Sequence, residues 1–489
     1  MVKRMKMKKY IQSMMAFAAI VSFASCSSED NNTTIENESA VKVMTFTATQ
    51  EGNEASTRAI LSGTNIHWES EDKISIFDGT NNNQFTLTDG AGSTSGKFSG
   101  KAGQSTSYTA VYPYQENASL SGDDVTNVTL PATQTATANS FDKVAALMMA
   151  KSTNTTLEFK NAVGYVKVKP RFACSKIVLQ ASGASEYLEG MCTLSYGDGK
   201  PSIAFTPEQS TSITLSGNIT ANTAYYIAVP AVTLSAGWSI SFTDTTGDVY
   251  TRTGSKSITF KRNTIIKLGE FSRTDNNLKL TLSQNGNVSA DKQVDMGVFN
   301  IGGTKYRLIF AKSNLTTTGL AANESDYGDY FAWGAKEPWY LSISGNTFTW
   351  KPDHSSGYVS GTAPAFSPEY TSEKDFEMSD DPARKILGGD WQIPTKAIWY
   401  AFVNNSSSKS WDSGYKFTNN SQTLFLPAAG YVLGKNFSER GSGARYWSGT
   451  AYSSSNAYRL SFSERKLNVG NIARQNGCSV RPVRLVAVD

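Results

Sequence analysis

The stretch "VKVMTFTATQ" (residues 41–50) decides how the chain is read. Met44, Phe46 and Ala48 fall on one side of an extended backbone, and Thr45, Thr47 and Thr49 on the other. That is the period-2 alternation of a strand with one buried face. Runs of the same kind follow: "KISIF" (73–77), "SYTAVYP" (107–113), "NVTLP" (127–131), "TLEFKNAVGYVKVKP" (156–170), "KIVLQ" (176–180), "TAYYIAVP" (223–230), "WSISFTD" (238–244) and "SITFKRNTIIKLGEF" (257–271). Gly-, Asn- and Asp-rich turns such as "DGTNNN" and "GDGKP" separate them. Short strands recurring about every 8–15 residues predict β-sandwiches. One short helix is expected within 134–151; the rest of the first 270 residues reads as β.

Upstream of this strand the chain has a different character. Residues 1–10 carry Lys3, Arg4, Lys6, Lys8 and Lys9 and no acid, and an apolar run follows from Ile11 to Ala24. Roughly 14 helical residues span only about 21 Å, short of the ~30 Å hydrocarbon core, so the run reads as a secretory signal over residues 1–25. This leader holds five of the 46 Lys and Arg and none of the 42 Asp and Glu, leaving 41 against 42 in the remainder. A near-neutral chain without basic clusters has no electrostatic footprint for nucleic acid. The length of 489 residues suggests about two to four domains.

Cys26 follows Phe23-Ala24-Ser25 directly and opens a polar tether, residues 26–41. The arrangement resembles a bacterial lipobox, which implies a lipid-modified Cys26 anchoring the chain in the outer membrane. The tract Ser27-Ser28-Glu29-Asp30-Asn31-Asn32 resembles the export tag of Bacteroidetes-type surface lipoproteins, implying the outer leaflet.

Residues 56–77, "STRAILSGTNIHWESEDKISIF", resemble the opening of Bacteroidetes-type fimbrillins through Thr57-Arg58-Ala59, Gly63, Trp68, Asp72 and the strand Ile74, Ile76, Phe77. "LEFKNAVGYVKVK" (157–169), "AYYIAVP" (224–230) and the stretch 248–271 extend the likeness over about 230 residues. The resemblance implies two tandem transthyretin-like sandwiches, 42–156 and 157–275. It also implies cleavage at Arg58–Ala59, loss of the first strand with its lipid, and completion of the vacated groove by another fimbrial subunit's donor strand. The plain alternative is that Arg58 is a surface loop residue and the lipid stays.

From about residue 279 Trp, Tyr and Gly become frequent. "DPARKILGGDWQIPTKAIWYAFVNN" (381–405) predicts two helices: Ala383, Ile386 and Leu387 share a face of the first, Gly388-Gly389 end it, and Pro394-Thr395 start the second. Trp333-Gly334, Gly389, Trp391, Leu426-Pro427, Gly430-Tyr431, Tyr446-Trp447-Ser448 and Gly477 through Pro482 resemble the Fibrobacter-type major paralogous domain. That implies a C-type-lectin-like α+β module over 279–489, so the expected class is mainly β: two sandwiches followed by this α+β module.

Chemistry-bearing constellations are few. The formylglycine-generating kin of that module need paired thiolates, and only Cys478 lies in it. His67 and His354 are far apart, no CxxC spacing occurs, and no phosphate-binding Gly-rich loop precedes a helix, so neither a zinc site, a cofactor nor catalysis is expected. Cys174 and Cys192 flank apolar strands; a disulfide across a hairpin is open to them, two buried thiols being the better reading. The remaining route is surface recognition. Trp333, Trp339, Tyr340, Trp350 and Trp411 are candidate ligand-binding faces for a host or microbial glycan or protein, with Trp391 and Trp447 read as core. The chain closes with the folded-looking motif "VRPVRLVAVD", leaving no spare strand to lend. The function expected is a fimbrial tip or accessory subunit acting as adhesin at the cell surface. The competing expectation is a non-polymerising surface lipoprotein that captures polysaccharide.

Overall fold

The alternation at 42–50 becomes a nine-residue strand, Lys42–Gln50, with Phe46 and Ala48 buried and Thr45 and Thr47 exposed. The structure, a computed structural model, describes residues 41–51, 67–79, 81–351 and 369–488. This first strand pairs antiparallel with Ser95–Ala102 from Lys42↔Ala102 to Thr49↔Ser95, and parallel with Thr156–Asn161 from Thr47↔Thr156 to Gln50↔Phe159. Because it is bonded on both flanks, the surrounding sheet closes into a seven-stranded barrel. The expected first sandwich is thus a barrel, and the first strand is what shuts it.

Trp68 fills the barrel's interior. It is fully buried and meets Phe98 edge to face at 4.9 Å, Tyr112 at 5.3 Å and Phe159 at 5.8 Å. Its indole N–H donates to the Ala48 carbonyl at 3.3 Å, which ties the first strand to the core. Gly96 makes this possible: a Cβ there would sit 2.8 Å from Trp68 Cδ1 and 2.6 Å from Leu87 Cδ1.

The apolar run 156–170 is two strands, not one. Thr156–Asn161 belongs to the barrel, and Gly164–Pro170 begins the next body, so the expected boundary at 157 lies inside barrel material. Asn161 marks the break. Its N–H donates to Glu51 Oε2 at 3.0 Å, its carbonyl accepts from Arg262 Nε at 2.6 Å, and its amide donates to Asn263 Oδ1 at 2.9 Å. Glu51 and Arg262 form an ion pair at the same point.

In the second body a three-stranded sheet centred on Gly164–Pro170 shares one core with a six-stranded sheet that includes Cys174–Gln180, Ser212–Ile219 and Ser239–Asp244. The two bodies also exchange strands. Gly190–Gly197 pairs with Asp124–Leu130, and Thr133–Thr135 pairs parallel with Ser212–Ile219. Gln134, fully buried, donates to the Ala228 carbonyl and accepts from the Ala228 N–H, both at 2.8 Å, so the crossing strand satisfies its buried polar group. The helix expected in 134–151 shrinks to one 3₁₀ turn, Lys143–Ala145, followed by strand Met148–Ser152.

The C-terminal part contains both predicted helices, α1 (Pro382–Leu387) and α2 (Lys396–Asn405). Asp381 caps α1 by accepting from Ala383 N–H at 2.8 Å, and its other oxygen accepts from Ile393 N–H at 2.8 Å. Thr395 caps α2, and Gly388 and Gly389 adopt the positive φ that ends α1. Sheets Gln293–Ile301/Thr304–Ala311/Val483–Ala487, Lys374–Asp375/Gly443–Ala451/Asn456–Ser463/Lys466–Ala473 and Ser408–Trp411/Gly414–Asn419/Gln422–Pro427 build this part together with three short hairpins. Strand Lys279–Thr281, placed in this domain by sequence, is instead the edge of the second body's six-stranded sheet.

Two arginines, Arg484 buried and Arg273 half-buried, join the second body to the C-terminal part. Arg484, on the last strand, makes a bidentate pair with Asp248 at 2.9 and 3.1 Å and donates Nε–H to Gln293 Oε1 at 3.0 Å. Both partners of the ion pair are at most 1% exposed. Arg273 donates to Asp244 at 3.1 Å and to the Ala487 carbonyl at 3.2 Å while lying 4.6 Å above the Phe172 ring.

Arg484→Met, which strands the Asp248 carboxylate in the interior, is expected to lower the unfolding free energy by about 3–5 kcal/mol in urea titrations, with Arg484→Met/Asp248→Leu regaining most of it. An unchanged midpoint for Arg484→Met would contradict the buried pair. Burial pushes the Asp381 carboxyl up to about 6, against the cap hydrogen bonds that lower it. The folded state therefore holds this proton more tightly than the unfolded state, and the group's stabilisation fades as pH rises from about 4 through about 6. The stability difference between the wild type and Asp381→Asn should change across that window and stay level above about pH 7.

Candidate functional site

Two kinds of site follow from the sequence reading: the seat of the first strand and an exposed aromatic face. The first is present in the geometry. Phe46 packs edge to face on Phe85 at 5.3 Å and on Tyr108 at 4.9 Å, and Ala48 is fully buried beside it. Lifting the strand out would leave two unpaired strand edges above an aromatic floor, the chemistry that accepts an added strand. The strand's N-terminal end is more exposed, with Val41 at 62% and Val43 at 69%. Its C-terminal end is held by the Glu51–Arg262 pair. Cys26, Arg58 and Ala59 lie outside the described residues.

The aromatic face is not where sequence placed it. Trp333 is fully buried: its indole N–H donates to the Ser448 carbonyl at 2.8 Å, Phe376 stacks on it at 4.3 Å, and the Arg474 guanidinium lies 4.4 Å from its ring. Trp339 and Tyr340 are 6% and 4% exposed. The Tyr340 hydroxyl donates to Asp329 Oδ1 at 3.2 Å and accepts from Tyr330 N–H at 2.9 Å. Trp350 is half-buried and stacks on Phe348 at 4.7 Å; Trp411, also half-buried, packs on Tyr415 and Phe462 at 5.6 and 6.2 Å. Trp333, Trp339 and Tyr340 are therefore packed inside, while Trp350 and Trp411 keep part of their surface open. The reason is size: an indole removes so much apolar area from water that loops rich in Trp fold onto the core unless something else holds them out. Trp391 and Trp447 are core, as read from sequence.

The hairpin disulfide is also excluded by position. Cys174 packs in the core of the second body and Cys192 in that of the barrel, on strands of different sheets, and both are buried thiols. Burial pushes the Cys192 and Cys478 thiols each up to about 12, so neither supplies a thiolate nucleophile at neutral pH. Among the described residues no group of three or more His, Cys, Asp or Glu is placed to hold a metal, and no helix is long and apolar enough to cross a membrane.

Two adjoining clefts open where the aromatics were expected. One, of about 560 Å³, is lined by Asp326, Tyr327, Asp329, Leu341 and Arg440; the other, of about 590 Å³, by Asp329, Lys336, Glu337, Leu341 and Lys351. Asp329 joins them, its second oxygen accepting from Thr317 N–H at 2.9 Å. Leu341 is 65% exposed, while Glu337 is paired with Lys351 at 2.7 Å. Sequence reasoning missed Asp329, Leu341 and Arg440, because no spacing or periodicity connects them; only the aromatic density of the surrounding loop pointed nearby.

Residues 401–483 match a family model described as a domain of unknown function, DUF8237. Among curated proteins none matches the chain. Among solved structures, the chain is similar to a "putative cell adhesion protein" from Bacteroides uniformis, at 17% identity and a TM-score of 0.31 over 49% of this chain and 95% of that one. A protein of the same description from Bacteroides ovatus gives 11% and 0.32 over 50% and 97%. A fimbrial protein from Bacteroides ovatus gives 11% and 0.26 over 89% and 97%. At this distance the function has to be argued from the chain's own residues.

If the aromatics are core, Trp333→Ala should destabilise the protein by about 3–5 kcal/mol. Leu341→Ala should change stability by no more than about 0.5 kcal/mol. Thermal unfolding of the two variants separates a packed indole from a displayed one; equal, small effects would restore Trp333 as a surface candidate.

Proposed function

We propose that the chain is a fimbrial tip or accessory subunit, adhesive through its C-terminal part and carried to the outer membrane by lipid on Cys26. In this reading, cleavage at Arg58–Ala59 severs the first strand from the barrel, and a donor strand from a neighbouring subunit takes its place. The observation that carries it is the strand Lys42–Gln50, bonded on both flanks and burying Phe46 and Ala48.

The energetics favour exchange only after cutting. Burial of a large apolar side chain contributes about 1.5–3 kcal/mol, and each strand-pairing hydrogen bond about 0.5–1.5 kcal/mol. While the strand is covalently joined to the barrel these terms act intramolecularly, and an incoming segment has no advantage. Once cut, the strand competes as a separate molecule, and a tethered donor at high local concentration wins.

The opposite end of the described chain supports an acceptor role. Strand Val483–Ala487 pairs with Thr304–Ala311, and Arg484 is pinned to Asp248. Donating this strand would expose a buried charge on each side, so it is committed to its own fold.

The test is mass spectrometry of the chain isolated from its native surface and again after limited trypsin treatment of the purified protein. The expected result is a new N-terminus at Ala59, loss of the 42–50 segment under native conditions, and gain of binding to a synthetic peptide copying that segment. Retention of the segment after cutting, or an acylated Cys26 that persists without any pilus association, overturns the proposal.

A further inference from the structure

We infer that the cleft between the second body and the C-terminal part binds an acidic saccharide, one bearing carboxylate or sulfate groups. With a volume of about 970 Å³, it exceeds both clefts around Asp329. It stands at the upper end of the range of about 300–1,000 Å³ typical of ligand sites. One wall is the segment 274–282, which contains the edge strand Lys279–Thr281; the other is Gln293–Ile301, the edge of the C-terminal sheet. Residues near 405 and 420–422 close one end.

Three features select the ligand. The first is charge. Lys279, Lys305 and Arg307 face Asp275 and Asp295, an excess of one cation. Arg307 already holds Asp295 at 2.7 Å, and Asp275 accepts from Ser272 N–H at 2.9 Å. Lys279 and Lys305 are exposed, and their ammonium groups have no ion-pair or hydrogen-bond partner among the described residues. Two uncommitted ammonium groups beside engaged carboxylates attract an anion without demanding one fixed geometry.

The second feature is the hydrogen-bonding lining. Asn276 and Gln422 are exposed and line the cleft, and their side-chain carboxamides have no partner among the described residues. A carboxamide offers a donor and an acceptor side by side, the pairing that adjacent hydroxyls need. Val298, 37% exposed, and the half-buried Leu280 give the apolar surface on which the C–H face of a sugar ring rests.

The third feature argues against an added β-strand as the occupant. The edge Gln293–Ile301 looks available, yet Asn419 donates to the Met296 carbonyl at 2.6 Å and Asn420 to the Asp295 carbonyl at 3.3 Å. A bulge between Asp295 and Val298, with Gly297 at φ +84, further breaks the ladder. An extended peptide would find the acceptors taken and the register interrupted. A saccharide needs neither.

This assignment names a ligand class for the adhesive reading above and rests on it for its purpose, but binding is measured on the uncut protein, so failure of strand exchange leaves it untouched. The experiment is isothermal titration of the full-length mature chain with oligogalacturonate, which carries carboxylates, with a heparin-derived oligosaccharide, which carries sulfates, and with a neutral maltooligosaccharide. Binding of one or both acidic probes, weakening as salt is raised, is expected, and no binding of the neutral one. Whichever acidic probe binds separates carboxylate from sulfate recognition. Lys279→Ala/Lys305→Ala should weaken it by about tenfold with an unchanged unfolding midpoint. Gln422→Ala should weaken it severalfold without altering the salt dependence. Equal affinity for the neutral probe, acidic binding indifferent to both variants, no saccharide binding at all, or binding confined to an extended peptide would each overturn the inference.

Discussion

The buried pair between Arg484 and Asp248 is the constraint on which the arrangement of the second half depends. A guanidinium and a carboxylate at most 1% exposed are tolerable only if every strong donor and acceptor is met. Asp248 meets this condition by also accepting from the Ser283 N–H at 2.8 Å and hydroxyl at 3.1 Å; Arg484 does so with Gln293. The pair thereby fixes three segments at once: the turn after Ser239–Asp244, the connection through Ser283, and the final strand. The wide cleft between Lys279–Thr281 and Gln293–Ile301 is a consequence, since its two walls are the segments that this network holds at a set separation.

At the other end of the chain, the first strand plays a comparable part by different means. No buried charge holds its middle; Phe46, Ala48 and two ladders of backbone hydrogen bonds do, with the Trp68 N–H as an index to the Ala48 carbonyl. Apolar contacts and ladder bonds can be replaced by those of another strand of similar pattern, whereas a specific buried ion pair cannot. This difference in physical character separates an exchangeable first strand from a committed last one. The Glu51–Arg262 pair lies where the strand leaves the barrel and shares Asn161 with the boundary of the next body, so the strand's seat is coupled to the junction of the first two bodies.

Legibility in the sequence followed the range of the interaction involved. The helix caps at Asp381 and Thr395 and the glycine stop at 388–389 depend on residues within one turn of each other, and they were readable. The alternation at 42–50 and at 73–77 likewise reports a local periodicity imposed by one buried face. The break in 156–170 was not readable, because both halves are equally apolar; Glu51 and Arg262, distant in sequence, impose it at Asn161. The aromatic loops misled for a related reason: composition reports that large apolar surface is present, while its burial depends on whether partners such as Ser448 and Phe376 arrive to cover Trp333.

By itself the sequence determined a β-rich chain with two capped helices late in it. Only the tertiary structure decided that the first strand closes a barrel, that neighbouring bodies trade strands, that Trp333 and Trp339 are buried, and that two lysines and two carboxamides meet in one cleft. The physical reason is separation along the chain. Periodicity and capping are set by neighbours a few residues apart, whereas Arg484 and Asp248 stand 236 residues apart and meet only after every intervening element has found its place.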